Sequence, residues 1–244
     1  MRLALVHARL ETMQLARYPA YVVPTLALPG LLLLFLGGRL ENGEPERLLA
    51  GFSATALLTV TFFQFGVGIA STRATPWEAF LRTLPVSVTT RLAGRVLSAS
   101  TFSVATVGVV TLVATTVYGA SPSAWRFAVL LVALLAGSVP FALLGIAFGY
   151  WLSPRSALPV ANVIYFPLIF SGAFWSRPTD EIPEWIDDAS QVLPTRNWME
   201  ILDSIATGDS RLPLHHVAAL AAWGLVFFAL AWWGFRRDEG ERFR

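Results

Sequence analysis

Long apolar stretches dominate the chain. Six windows contain no Asp, Glu, Lys or Arg: residues 18–38, 48–72, 96–125, 127–154, 156–176 and 212–235. A bilayer core asks for about 20 mostly apolar residues of helix, and each window is long enough. A single Arg or Asp at the centre of a spanning helix costs about 2.5–3.5 kcal/mol, whereas each Leu, Ile or Phe returns only about 0.3–0.6 kcal/mol. Uninterrupted windows are therefore the form a spanning helix takes. A β-barrel would show segments of about ten alternating residues instead. The pattern predicts an all-α membrane protein forming one transmembrane domain over 1–244. Its six transmembrane helices fall at about 18–38, 48–72, 96–118, 127–152, 156–175 and 213–235. The fifth carries Pro159, Asn162 and Pro167. Proline frees carbonyls that lipid cannot satisfy, which favours a place inside the bundle.

The connections carry patterns of their own. In residues 1–17, Leu3, Val6, Leu10 and Met13 recur at helical spacing among arginines, which predicts an amphipathic helix at the membrane interface. In the loop at 71–95, Thr75 can cap a helix that starts at Pro76, with Glu78 three residues after the cap. That is a capping-box arrangement. A helix over 76–84 would present Trp77, Phe80, Leu81 and Leu84, and Pro85 would stop it. Its apolar face fits the protein's own helix ends and lipid headgroups, or a soluble partner, and the pattern leaves both open. Residues 177–211 predict two short helices broken at Pro194, lying on or dipping into the membrane. Trp175, Trp185 and Trp198 suit the interface, where an aromatic ring can be half wet.

Composition narrows the function classes. Of 244 residues, 14% are charged and 55% hydrophobic, and the mean hydropathy is +0.59. Ordinary soluble domains carry about 25% charge, so a water-soluble enzyme is excluded, and disorder requires the opposite balance. Cysteine is absent, which removes disulfide frameworks, zinc-finger spacing and thiol nucleophiles. The basic residues are 18 Arg and no Lys, and the net charge of +2 is scattered. No nucleic-acid footprint is present. Loop by loop, twelve Arg face five acids on the side of the termini, and six Arg face eleven acids on the other. The positive-inside rule then predicts a multi-pass protein of the cell membrane with both termini cytoplasmic. The first apolar run begins after Arg17 and lacks a small-residue cleavage site, so it is expected to remain in the mature protein.

Taken together, the layout and two local motifs resemble the type-2 ABC exporter permeases. In the first cytoplasmic loop Glu78, Leu81, Leu84, Pro85, Gly94 and Arg95 fall in the family's order, with Thr75-Pro76 where the family usually has Gly-Thr. The second motif runs from Pro167 through Ser171, Gly172, Phe174 and Trp175. It continues through Ile182, Pro183 and Trp185 to Leu193, Pro194 and Trp198. The resemblance implies that Pro76, Trp77, Glu78, Phe80, Leu81, Leu84 and Pro85 form a coupling helix docked on an ATPase. It implies that Ser171, Gly172, Phe174, Trp175, Trp185 and Trp198 belong to short external gate helices before the last span. Two cytoplasmic ABC ATPase subunits, holding ATP and Mg, are the implied partners. A second permease copy, identical or paralogous, would complete the pore, and export of an amphiphilic drug-like or lipid-like molecule is the implied activity.

The chemistry in the chain agrees with a transport subunit. No G-x-x-x-x-G-K-[ST] occurs, so a Walker A phosphate loop is absent and no cofactor site is expected. The histidines are His7, His215 and His216, no H-E-x-x-H is present, and no acid lies in a predicted span. Intramembrane hydrolysis and proton-driven carriage lack their usual groups, and neither catalytic nor metal-ligating residues are expected. The polar groups expected at a translocation cavity are Gln64, beside Phe65, and Asn162, near Tyr165 and Phe166. A mostly apolar wall with sparse polar groups suits an amphiphilic ligand. The many Ser and Thr hydroxyls over Ser98–Thr116 are expected to act as packing contacts between helices. An alternative class is a non-transporting membrane anchor or assembly module for a cytoplasmic partner.

Overall fold

The computed structural model describes residues 2–39, 44–73, 75–76, 88–172, 174, 184–208 and 213–242, and among them the regular structure is helical. Helix α1 (Arg2–Ala16) precedes α2 (Pro19–Leu36), which ends in a 3₁₀ turn at Gly37–Arg39. Helix α3 runs over Pro45–Arg73 and contains one π-helical turn at Phe63–Val67. The remaining helices are α4 (Val88–Val117), α5 (Ala124–Trp151), α6 (Pro154–Ser171), α7 (Glu184–Val192), α8 (Pro194–Thr207) and α9 (Leu214–Arg242).

Five helices are long and apolar enough to cross a membrane: α2, α3, the greater part of α4, α5 and α9. Helix α6 is the expected fifth span. It is 18 residues long, begins at Pro154-Arg155 and contains Pro159 and Pro167. Successive passes alternate, so the chain termini, the α3–α4 connection and the α5–α6 connection share one end of the bundle. That end is called here the termini end, and α7 and α8 lie at the far end.

Helix α3 is the axis of the bundle. Inside its most apolar stretch 89% of residues are buried, against 17% for α2 and 22% for α9. Its seam with α5 is made by small residues. An added Cβ at Gly145 would lie 3.1 Å from the Thr61 carbonyl oxygen and 3.2 Å from the Gly66 nitrogen. At Gly149 it would lie 2.6 Å from the Ile69 Cβ. Gly145 and Gly149 stand one helical turn apart, the small-xxx-small spacing that lets membrane helices approach backbone to backbone.

Helix α1 lies across the termini end of α4. Glu11 pairs with Arg95 at 3.0 Å, the Thr12 hydroxyl donates to Ser98 at 3.1 Å, and Gly94 makes room for His7. Leu3, Leu5, Val6, Leu10 and Met13 remain exposed, so the stripe read from the sequence is the face turned away from the bundle. The hydroxyls of α4 differ from expectation. Thr101, Thr106, Thr111 and Thr116 each donate to the carbonyl four residues back in the same helix. Contacts from this stretch to other helices are made by Ser98, and by Thr106 to the Thr25 carbonyl at 3.4 Å. In an apolar surrounding the nearest acceptor wins, because an unpaired hydroxyl there costs several kcal/mol.

Candidate functional site

The polar and aromatic groups concentrate at the far end, around α8. This helix follows α7 directly, and the break is where Pro194 was expected to place it: Leu193 stays extended and Pro194 opens the next helix. Helix α8 is not an interfacial helix. Pro194, Thr195, Asn197, Trp198, Met199, Ile201, Leu202 and Ala206 are all buried. Trp198 packs on Phe141 with ring centroids 5.2 Å apart, and its indole N–H donates to the Ala133 carbonyl at 3.3 Å. At a rise of 1.5 Å per residue, Ala133 lies about 14 Å below the start of α5. Helix α8 is therefore sunk into the bundle alongside α5 and does not lie across its end. This corrects the expectation for Trp198: it is fully buried, not half wet at the interface.

Specific contacts tie α8 to four other helices. Arg47 of α3 pairs with Asp203 at 2.5 Å. The Ser171 hydroxyl, at the end of α6, sits 3.3 Å from that of Thr195. Asn197 donates through Nδ2 to the Gln191 and Leu193 carbonyls, both at 2.9 Å. That leaves its Oδ1 as an acceptor, and the His216 Nδ1–H of α9 fills it at 2.7 Å. Trp223 of α9 donates to the Val192 carbonyl at the end of α7, at 2.8 Å. The end of α8 is capped by Gly208, whose φ of +82° lies in the left-handed region open to glycine. The Arg126 guanidinium lies against it, a cation where the last carbonyls of a helix concentrate negative charge.

The sequence-derived gate set is therefore partly assembled. Ser171, Gly172, Phe174 and Trp198 meet in one cluster: Phe174 is buried and stands edge-on to Trp198 at 5.8 Å and 89°. Gly172 makes room for Thr195 and Phe174. Trp175 lies outside the described residues. Trp185 is in α7, and its side chain lies outside them too. Sequence reasoning missed Arg47, Gly51, Gly137, Thr195, Asn197 and Asp203. A signal existed for Arg47, which borders the apolar run at 48–72, but not for Asp203, which lies within the polar 177–211 segment. None existed for the two glycines, whose role is set by what folds over them.

The cavity set is divided between two places. Gln64 sits in the π turn, accepting from the Tyr21 hydroxyl at 3.2 Å. Phe65 packs with Val60, Ile69, Ala99 and Phe102. Tyr165 faces another side of α3, bonded to the Thr59 hydroxyl and set against Phe63 at 5.2 Å. Phe166 is exposed next to it, and the partly exposed Asn162 donates to its own helix at the Leu158 carbonyl, 3.1 Å away. Of the coupling set, Pro76 is exposed, and Trp77, Glu78, Phe80, Leu81, Leu84 and Pro85 lie outside the described residues. The Thr75 hydroxyl donates to the Thr72 carbonyl at 2.7 Å, closing the end of α3.

The architecture is thus a bundle of apolar helices with a short helical pair, α7 and α8, packed into it before the last one. The sequence profile of the ABC-2 family transporter proteins matches residues 39–233. The chain belongs to that family. YvfS of Bacillus subtilis (strain 168), which bears the name of a transport permease, is 23% identical over 239 residues, covering 94% of this chain and 95% of its own. Family membership makes the chain a multi-pass transport permease of an ABC transporter, and implies an ATPase partner and a dimeric assembly.

Proposed function

We propose that the chain is the permease subunit of an ATP-driven exporter. It moves an amphiphilic drug-like or lipid-like molecule out across the cell membrane by alternating access. Two separate ATPase subunits hydrolyse ATP with Mg and dock on the 76–85 segment. A second permease chain, a copy or a paralogue, forms the other half of the pathway. The observation that supports a gated pathway is α8, sunk into the bundle before the last span. It closes one end of the bundle with a buried aromatic plug, and the positive-inside rule makes that end external. Nucleotide drives the cycle by binding one of two states better than the other.

The docking assignment is tested by co-purifying the chain with its ATPase and replacing Glu78 and Phe80 with alanine. Assembly and transport-coupled ATP hydrolysis should both fall. If both stay at the wild-type level, the segment does not dock the ATPase. An anchor without transport would assemble equally well, yet give no flux in vesicles.

Orientation has an independent test, made simple by the absence of cysteine. Trp125, 78% exposed at the start of α5, and Arg155, exposed at the start of α6, lie at opposite ends. In intact cells a membrane-impermeant maleimide should label Trp125→Cys and spare Arg155→Cys until the membrane is opened. The reverse pattern would invert the topology, put the 76–85 segment outside the cell and overturn ATPase docking there.

A further inference from the structure

Helix α3 carries an ion pair at each end. At the far end it is Arg47–Asp203, which holds α8. At the termini end Arg73 donates from Nη1 to Asp238 of α9 at 2.7 Å and from Nη2 to the Leu152 carbonyl, just past α5, at 2.8 Å. Asp238 is buried and Arg73 mostly so. One planar fork thus joins three helix ends, which a lysine's single ammonium point could not do in the same geometry. The Leu152 carbonyl lies where helix α5 ends, the electronegative end of its dipole.

The same level is reinforced between α5 and α9. The Trp151 indole N–H donates to the Leu230 carbonyl at 3.3 Å, and the Arg237 guanidinium lies 5.5 Å from the Trp151 ring centre. From Arg47 to Arg73 the helix is continuous apart from its π turn, a span of about 39 Å at 1.5 Å per residue. The segment proposed to dock the ATPase begins at Pro76, three residues after Arg73.

We propose that Arg73 is a positioning residue for coupling: it clamps the termini ends of α3, α5 and α9 into one body, so that displacement of the adjoining loop travels along α3 to the Arg47–Asp203 pair and moves α8. Buried ion pairs of this kind are costly to assemble, and substituting apolar residues for them is often neutral or stabilising. Stability alone is thus a poor reason for one to stand where the helix meets the loop. The inference rests on the transporter reading above.

The test uses the full-length permease with its co-purified ATPase in vesicles. Met199 of α8 is 1% exposed, and in a chain free of cysteine Met199→Cys reports on α8 alone. Its labelling rate by a maleimide is measured with and without ATP plus orthovanadate. In the otherwise wild-type permease, nucleotide should change the rate by about fivefold or more, the lower end of the usual range for coupled sites.

With Arg73→Gln added, the nucleotide response should disappear while ATP hydrolysis and the basal labelling rate persist. Arg73→Lys, which retains the charge without the fork, should respond to an intermediate degree. That variant decides the matter if Arg73→Gln does not assemble. A full response in Arg73→Gln, or in Arg73→Lys where Gln does not assemble, overturns the clamp alone. So does a basal rate raised as much by the substitution as by nucleotide, since the pair would then only hold α8 in place. Absence of a nucleotide response in the otherwise wild-type complex overturns the transporter reading, and the clamp with it.

Discussion

Trp198→Ala should destabilise the protein by about 3–5 kcal/mol, the usual cost of deleting a large buried aromatic side chain. The indole has no exposed surface, and it fills the space between Phe141 and Phe174. A Cβ on Gly137 would come within 2.0 Å of its Nε1, so helix α5 has dispensed with a side chain to admit it. Removing the ring leaves a void lined by three helices, and α5 cannot close in without breaking its seam with α3. The Ala133 carbonyl also loses a donor. Thermal unfolding in detergent should show the melting temperature lowered by about 10 °C, at the roughly 2–4 °C per kcal/mol expected for chains of this size. On the proposed reading, in which α8 closes the pathway at the far end, vesicles containing the variant should also leak substrate without ATP. Trp198→Phe, which keeps most of the volume, should recover most of the stability and reduce the leak. A melting temperature unchanged in Trp198→Ala would mean that α8 does not pack into the bundle.

What could be read from the sequence and what could not divide along physical lines. The spans were legible because lipid punishes any charge within them, and windows without charge therefore coincide with helices α2 to α6 and α9. Their ends were less so. Helix α3 begins at Pro45 with Glu46 and Arg47 already in the helix, three residues before the apolar window, because Arg47 meets Asp203 and the Glu46 carboxylate accepts from the Ser121 N–H at 3.1 Å. A paired charge no longer marks a boundary. The same effect concealed the depth of α8. Arg196, Asn197, Glu200 and Asp203 make its sequence look like a solvated helix, but Arg196 pairs with Glu200 at 2.9 Å within the helix and the others have partners on α3 and α9. Aromatic residues mislead in the opposite sense. Tryptophan in a polar segment next to a span suits the interface, and Trp198 is buried only because Gly137 and the Ala133 carbonyl lie opposite it. The cavity groups fell on different sides of α3 because successive residues of a helix point about 100° apart, so Gln64 and Phe65 turn away from the face on which Thr59 and Phe63 meet Tyr165.

Gly51→Val should be nearly as damaging, for the opposite reason. An ideal Cβ at this position would sit 1.7 Å from the Phe174 carbonyl oxygen and 2.8 Å from its carbonyl carbon. The obstacle is backbone, so no rotamer change relieves it. Phe174 is itself fixed, with its ring buried against Trp198 and with Gly172 already yielding space before it. Overpacking a tight core costs about 1–3 kcal/mol and sometimes more. A branched side chain forced against a main chain that cannot retreat belongs at the upper end. The strand of chain leaving α6 must lift off α3, and Ser171, Thr195 and Trp198 move with it. The expected signature therefore combines lost thermal stability with faster maleimide labelling of Met199→Cys in the absence of nucleotide. Gly51→Ala should show the same two effects at smaller size. Gly108 supplies the control, since an added Cβ there meets nothing within 4 Å, and Gly108→Ala in the middle of α4 should be neutral or mildly stabilising through helix propensity. If Gly51→Val matched Gly108→Ala in both measurements, the close crossing of residue 174 over α3 would not exist, and the gate cluster built on it would have to be abandoned.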